Sequence, residues 1–492
     1  MRPGIVSRTY ARLVRIIALP LVLVAVLAAV VARPAAGLAA SNGTAYVANF
    51  GSATATPITV SNNTAGTAIA TGAGPRGVAI SPDATTAYVS NYTAGTVRPI
   101  DTASNTTGSA LTAGTNPAGL AVTPDGATLL VVNQGSNSVT PFDTGTGNAG
   151  TQIALGLGTL PFWIAITPDG STALVTENGL NAVRPIDLAT NTAGTPIPVG
   201  LLPQGVAITP DGTEALVANF GANTVTPIDI GTGTAGGPIT VGAGPTAIAI
   251  TPDGSKAYVV NEVSGTLTPI TLSNSTAGTA IQLCGTPPCT SLLPAGIAIT
   301  PDGTTAYVTS EGTNAVVSVS LPGGALGTAI PVGTQPTGIA ITPAATVTTV
   351  VSSASPAVSG TSITFTATVS PAPPIGTVSF TVDGQPFGAA VAVTGGAATS
   401  IATTSLSTGS HTVTATYSGE YGYFQASTGS TTQVISAAST PTPSPSPGSP
   451  STPATGVASA DPSFAAMTLG WLGLAITSAA LRARRRGRRR LR

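Results

Sequence analysis

Charge and reactive side chains are scarce in this 492-residue chain: 7% of residues are charged and 4% aromatic, with one histidine and two cysteines. So little charge excludes a coiled coil or an acidic disordered tail. The basic residues are also badly placed for nucleic acid. Of 17, five precede residue 41 and eight follow residue 481, leaving Arg76, Arg98, Arg184 and Lys256 against all 17 acidic residues, a net charge of −13 between the two ends. That region lacks the basic footprint on which nucleic-acid binding rests. With His411 as the sole imidazole, a Ser-His-Asp arrangement is excluded wherever His411 is not. A metal site on Cys284 and Cys289 would want further ligands, so neither a metal nor a cofactor is expected. What the chain does have is glycine, alanine, threonine and valine, a turn-rich, β-favouring composition.

The outlying arginines mark the two ends. Four fall in residues 1–15, an apolar run covers residues 16–31, and small residues follow, the pattern of a secretory signal peptide over residues 1–40. Residues 464–481 are an 18-residue stretch without charge, followed by the Arg-rich tail 482–492. A stretch of that length just spans a bilayer as a helix, and its arginines are expected to stay cytoplasmic. Residues 41–460 are then outside the cytoplasm. There Cys284 and Cys289, in CGTPPC, are expected to close a small disulfide loop.

Between the ends the sequence repeats. Asp83, Asp125, Asp169, Asp211, Asp253 and Asp302 recur in "PD" turns at spacings of 42, 44, 42, 42 and 49 residues. Each unit holds four short apolar segments separated by turn signals, as in GVAIT, EALVAN, VTPID and GPITVG. Four strands in a unit of this length mark a propeller blade. First strands occur at Val78, Leu120, Ile164, Val206, Ile248, Ile297 and Ile339. Second strands occur at Ala45, Ala87, Leu129, Ala173, Ala215, Ala257 and Ala306, so there are seven of each. The repeats open on a second strand without a first and end, in PTGIAITPAAT, on a first without a second. Joined, they make an all-β, seven-bladed propeller over residues 41–343, with its last blade closed by strands from both ends, so that no edge of unpaired backbone remains.

The pattern GIAITPDGTTAYVTS…NAVVSVS, with AYVAN and AYVSN, resembles the YVTN-type β-propeller repeats of bacterial and archaeal surface-layer and cell-envelope proteins. The Asp of each "PD" turn is read as a turn residue accepting from nearby backbone amides, as are Asp101, Asp143, Asp187 and Asp229 at the turn between third and fourth strands. Those two sets of turns share a monotonous face. The opposite face varies, and binding is expected there. It carries Arg76 and Gln204 at the head of first strands, and Phe162 and Trp163 where most other blades read "PxG". It also carries Glu177, Glu262 and Glu311 after second strands, and the Cys284–Cys289 loop. Tyr92, Gln134 and Phe220 in the same loops read as mostly solvated. These residues form a partner-binding face. No catalytic set is assigned and a non-enzymatic protein is expected. The alternative is an enzyme acting on a small ester or lactone, should the three glutamates approach across the channel; lactonases share the architecture.

Residues 346–436 alternate with period two in TSITFTATVSP, GTVSFTVDG and HTVTATYSG, the pattern of a β-sandwich. The order of these segments resembles bacterial Ig-like domains of surface adhesins, with Glu420 in YSGEYGYF where such sequences often have Asp. His411 reads as a surface side chain. A Pro/Ser/Thr-rich stalk covers residues 437–463. Within it Thr452, Pro453, Ala454, Thr455 and Gly456 resemble a Gram-positive sortase sorting signal, with Thr452 in place of leucine. The expected protein is therefore anchored in the membrane or cell wall of a Gram-positive bacterium. It binds an extracellular protein or envelope polysaccharide through a propeller displayed on an Ig-like spacer. A lactonase- or hydrolase-type enzyme and a structural envelope component are the alternatives.

Overall fold

The computed structural model describes residues 43–285, 289 and 291–438. The expected signal peptide, most of the stalk with its sorting-like motif, the apolar stretch and the Arg-rich tail lie outside the described residues.

The repeats fold into seven antiparallel blades. Six are continuous in sequence and begin at the inner strands Pro75–Ile80, Pro117–Val122, Pro161–Ile166, Pro203–Ile208, Pro245–Ile250 and Pro294–Ile299; we call them blades one to six. In the closing blade the inner strand is Pro336–Ile341, and the chain's first strand, Thr44–Asn49, lies beside it. Ala45 pairs with Ile341, Tyr46 with Ala340 and Val47 with Ile339. The ring is thus sealed by main-chain hydrogen bonds between residues almost 300 positions apart, which is what removes the free edge.

Each blade follows from a few residue choices. Second strands such as TAYVAN are buried on both faces, because each blade packs between two others. Third strands carry a mid-strand proline in all blades but the sixth, as in TATPIT and TVTPID. Proline has no amide to give the next strand. The fourth strand breaks opposite it, a break the proline suits and that blade six shares without one: in the closing blade Thr64–Ala65 and Ile69–Ala70 pair on either side of Pro57. The "PD" aspartates do what turns require. Asp125 accepts from Thr123 Oγ1 at 2.5 Å and from the Ala127 amide at 2.9 Å, and the Thr123 bond, followed by the amide, holds its carboxyl below the usual range. Near the channel most inner strands have glycine third, since neighbouring inner strands approach too closely for a side chain. A Cβ on Gly338 would fall 2.4 Å from the Arg76 carbonyl oxygen.

The remaining residues form a two-sheet sandwich. One sheet contains Val347–Ser352, Phe365–Ser370 and Ala397–Thr399; the other is built around Thr377–Val382, Gly409–Tyr417 and Ser427–Ser436. Phe365, Val369, Val378, Phe380, Val413 and Tyr417 fill its core. His411 departs from expectation: it is buried, with Nδ1 bonded to Asp383 Oδ2 at 2.7 Å and Nε2 to the Ser407 carbonyl at 2.8 Å. The sandwich is also more than a spacer. Residues 420–424 form a tight hairpin with Gly422 in the left-handed region (φ 84°). The Tyr421 and Tyr423 hydroxyls donate to the carbonyls of Val122 and Ile250, at the lower ends of two inner strands. A cavity of about 310 Å³, walled by one alanine from every blade, ends on these two tyrosines.

Candidate functional site

At the other mouth of the channel two rings of side chains meet. The first comprises the second residue of each inner strand, Arg76, Ala118, Phe162, Gln204, Thr246, Ala295 and Thr337 in chain order. The second is the residue that follows each second strand, among them Phe50, Tyr92, Glu262 and Glu311. Both rings are held by one repeated bond. The amide of each second-ring residue donates to the carbonyl of the residue before the inner-strand proline, as in Tyr92 to Gly74 at 2.7 Å and Glu311 to Leu293 at 3.1 Å.

A cavity of about 320 Å³ opens there, lined by Arg76, Phe162, Trp163, Gln204, Glu262 and Glu311. Six of the seven residues expected on the binding face therefore converge. Arg76 is the centre of the cluster. Its guanidinium lies 4.5 Å from the ring centroid of Phe162 and 5.0 Å from that of Tyr92, close enough for cation–π attraction to hold it in place. Tyr92 is itself tied down by its hydroxyl, which donates to Gln134 Oε1 at 2.7 Å; it is half-buried and supports Arg76 from behind the cavity wall rather than lining it. Trp163 also packs into the seam between blades three and four.

Electrostatics couple the charged members. Burial raises Glu262 above the usual carboxyl range. Burial also raises Glu311, which the charge of Glu262 pushes further while Arg76 opposes. Burial weakens the basicity of Arg76, with Tyr92 and Glu311 acting against it. Two partly buried acids, both raised, beside a fixed guanidinium, are suited to proton transfer and to stabilising an oxyanion.

Glu177 is not part of this cluster. It closes the strand Thr172–Glu177, where other blades have Asn49, Asn91, Asn133, Asn219, Asn261 or Ser310, and it is fully buried inside blade three. Its Oε1 accepts from Arg184 Nε at 2.5 Å and its Oε2 from Nη2 at 3.2 Å. The second-ring position of that blade belongs to Asn178, one residue on, which puts the Glu177 side chain in the blade interior. Cys284 and Cys289 are joined by a disulfide, and Cys289 packs against Gly265, in the loop that follows Glu262 on this same face.

A seven-bladed propeller with a charged, aromatic pocket at one mouth is the class these features define. The chain belongs to the lactonase, seven-bladed β-propeller family, whose model matches residues 50–193 and 203–367; the bacterial Ig-like domain (group 3) matches residues 348–436. No curated protein matches. Among solved structures, a functionally unknown protein from Desulfotomaculum acetoxidans is 18% identical with a TM-score of 0.54, over 61% of this chain and 98% of its own. Hydrazine synthase of Kuenenia stuttgartiensis is 24% identical with a TM-score of 0.49, over 54% and 88%. Virginiamycin B lyase from Staphylococcus aureus is 16% identical with a TM-score of 0.46, over 54% and 87%. At these identities the likeness is one of fold.

Membership of the lactonase family overturns the expectation of a non-enzymatic protein. That expectation rested on the missing histidine and on reading the loop acids as solvated. Folding instead buries Glu262 and Glu311 in part and brings Glu311 into the electrostatic reach of both Glu262 and Arg76, the latter a residue far away in sequence.

Proposed function

We propose that the protein hydrolyses a lactone or small carboxylic ester at the Arg76–Glu262–Glu311 pocket. The coupling of the two acids beside a clamped arginine carries the reading, and the family's name gives the bond class. Glu262, in its ionised form, serves as general base. It takes a proton from water, whose oxygen bonds to the substrate carbonyl carbon. Arg76 stabilises the resulting oxyanion. Glu311, raised by burial and by the charge of Glu262, gives its proton to the alkoxide as the C–O bond breaks, leaving a hydroxy acid, or an acid and an alcohol. Proton exchange with solvent resets both carboxyls. Phe162 and Trp163 form an apolar wall beside the reacting group.

The experiment is pH-stat hydrolysis of γ-butyrolactone and phenyl acetate. Glu262→Gln should lower kcat by roughly a hundredfold or more, the usual scale of a lost general base. Glu311→Gln should remove the alkaline limb of a bell-shaped rate profile, because that limb reports loss of the acid's proton. Wild-type turnover in Glu262→Gln would sink the assignment. Export and anchoring, read from residues 1–40 and 464–492, belong to the same proposal; protease treatment of intact cells tests them, since an exposed propeller is cut and a cytoplasmic one is spared.

A further inference from the structure

The rim of this mouth is divided. The residue before the inner-strand proline lies in the left-handed region in all seven blades: Gly74 (φ 65°), Asn116 (φ 53°), Leu160 (φ 44°), Leu202 (φ 52°), Gly244 (φ 64°), Leu293 (φ 45°) and Gln335 (φ 51°). The repeated bond to its carbonyl requires this, and glycine or asparagine adopts it at little expense. Three blades place leucine there, a γ-branched side chain in a conformation it disfavours, and each of the three is exposed. Exposure removes packing as the reason. Backbone strain kept in an exposed apolar residue beside a pocket points to use of that side chain.

The three leucines are not alone. Leu157 is 96% exposed, Leu201 57% and Val263 51%. All belong to the loops of blades three to six, which also carry Glu262 and Glu311, while the corresponding loops of the closing blade and blades one and two present Ser52, Thr93, Thr115 and Ser136 beside Phe50 and Tyr92, with no large apolar side chain exposed. Residues 155–163, 178–182 and 199–205 contain no charged side chain. Leu160, Leu202 and Leu293 each stand two residues before a residue of the pocket wall, Phe162, Gln204 and Ala295. Exposed apolar side chains gathered at the mouth of a pocket mark a binding site.

We infer that the arc of Leu157, Leu160, Leu201, Leu202, Val263 and Leu293 receives an aliphatic substituent of the substrate, so that the preferred substrate is an alkyl-substituted lactone or a fatty ester. This rests on the hydrolase reading for its reacting group. The carbonyl sits at the polar pocket and the chain leaves across the rim. The arc is preferred over the lower cavity because the inner strands are the innermost of each blade and turn main-chain groups towards the bore. Two of those carbonyls take the Tyr421 and Tyr423 hydroxyls, and a hydrocarbon chain would leave the others unpaired.

The test compares kcat/KM for γ-decalactone and γ-butyrolactone in the full chain and in Leu160→Asn/Leu202→Asn. Asparagine is what blade two holds at this position, so the variant relieves strain and its melting temperature should not fall. Wild type should favour γ-decalactone, and the variant should lower the ratio about tenfold, the effect of some two methylenes' worth of lost burial. Calorimetric binding of n-octanol, which needs no turnover, should weaken in parallel, and Leu157→Ser should act in the same direction. An unchanged ratio and unchanged n-octanol affinity overturn the inference. So does a wild-type dimer that the variant converts to monomer, which would make the arc an interface between copies. Binding of n-octanol that requires Leu160 and Leu202, with no turnover of any lactone, supports the arc and defeats the hydrolase reading. Turnover of both lactones without chain preference does the reverse.

Discussion

At the scale of single residues, this propeller shows how one exchange in a repeat is compensated by another. Asn219 Nδ2 donates to Thr226 Oγ1 at 2.8 Å across two strands of blade four. In blade three the same two places hold Glu177 and Arg184, which form a buried ion pair. Removing one partner of a buried pair strands the other charge and costs about 3–5 kcal/mol, whereas exchanging both for well-fitting neutral residues is often neutral. Arg184→Thr alone should therefore lower stability by about that amount in urea unfolding. Adding Glu177→Asn should recover most of it, because the double variant restores the neutral pair of blade four. A double variant as unstable as the single one would show that blade three depends on the ion pair itself.

At the scale of elements, strand order and number were legible because four turn signals recur in every unit and the core alternation repeats with them. Faces were legible for the same reason. Registers at strand ends were not: Glu177 and Asn178 differ by one residue, and only the pairing of Glu177 with Ala182 fixes which of them turns inward. The closing strand Pro336–Ile341 is the element on which the ring depends. Ile339 and Ile341 are buried in it, worth about 1.5–3 kcal/mol each, and its loss also frees the edge of Thr44–Asn49. Against a typical total of roughly 5–15 kcal/mol, deletion of residues 338–343 should abolish cooperative melting of the propeller. Truncation after residue 345 keeps all seven blades closed and should preserve a cooperative transition by circular dichroism. Equal damage from both deletions would contradict closure by this strand.

At the scale of the whole molecule, the Ig-like domain supplies the floor of the propeller's channel. Glu420 at the base of the inserted hairpin is buried, and neither carboxylate oxygen has a protein partner. Burial, reinforced by Asp253, pushes its pKa up to about 8 from the ordinary 4.5. A carboxyl raised in the folded state adds no penalty below the unfolded value. The penalty grows as pH climbs through the interval between the two values, because the unfolded chain ionises there and the folded one does not, and it is complete above about pH 8. Its full size is on the order of a few kcal/mol. Glu420→Gln should thus raise the melting temperature relative to wild type at pH 8 and leave the difference near zero at pH 4. The same gain at both pH values would mean that the carboxyl is not held protonated in the fold.

The sequence by itself determined the blade count, the shared closing blade, the sandwich that follows and the face on which the pocket opens. Each of these is written in local, repeated patterns of turn residues and apolar alternation, which act within a few residues of one another. Tertiary structure alone decided which side chains meet. Arg76 reaches Phe162 and the field of Glu311 because closing a ring places residues from distant blades around one axis. The same closure buries Glu177 and fits two tyrosines of the second domain into the bore of the first. It also sets three exposed leucines, each from a different loop, around the mouth of that pocket. Such encounters depend on the curvature and completion of the ring, quantities that no single repeat contains.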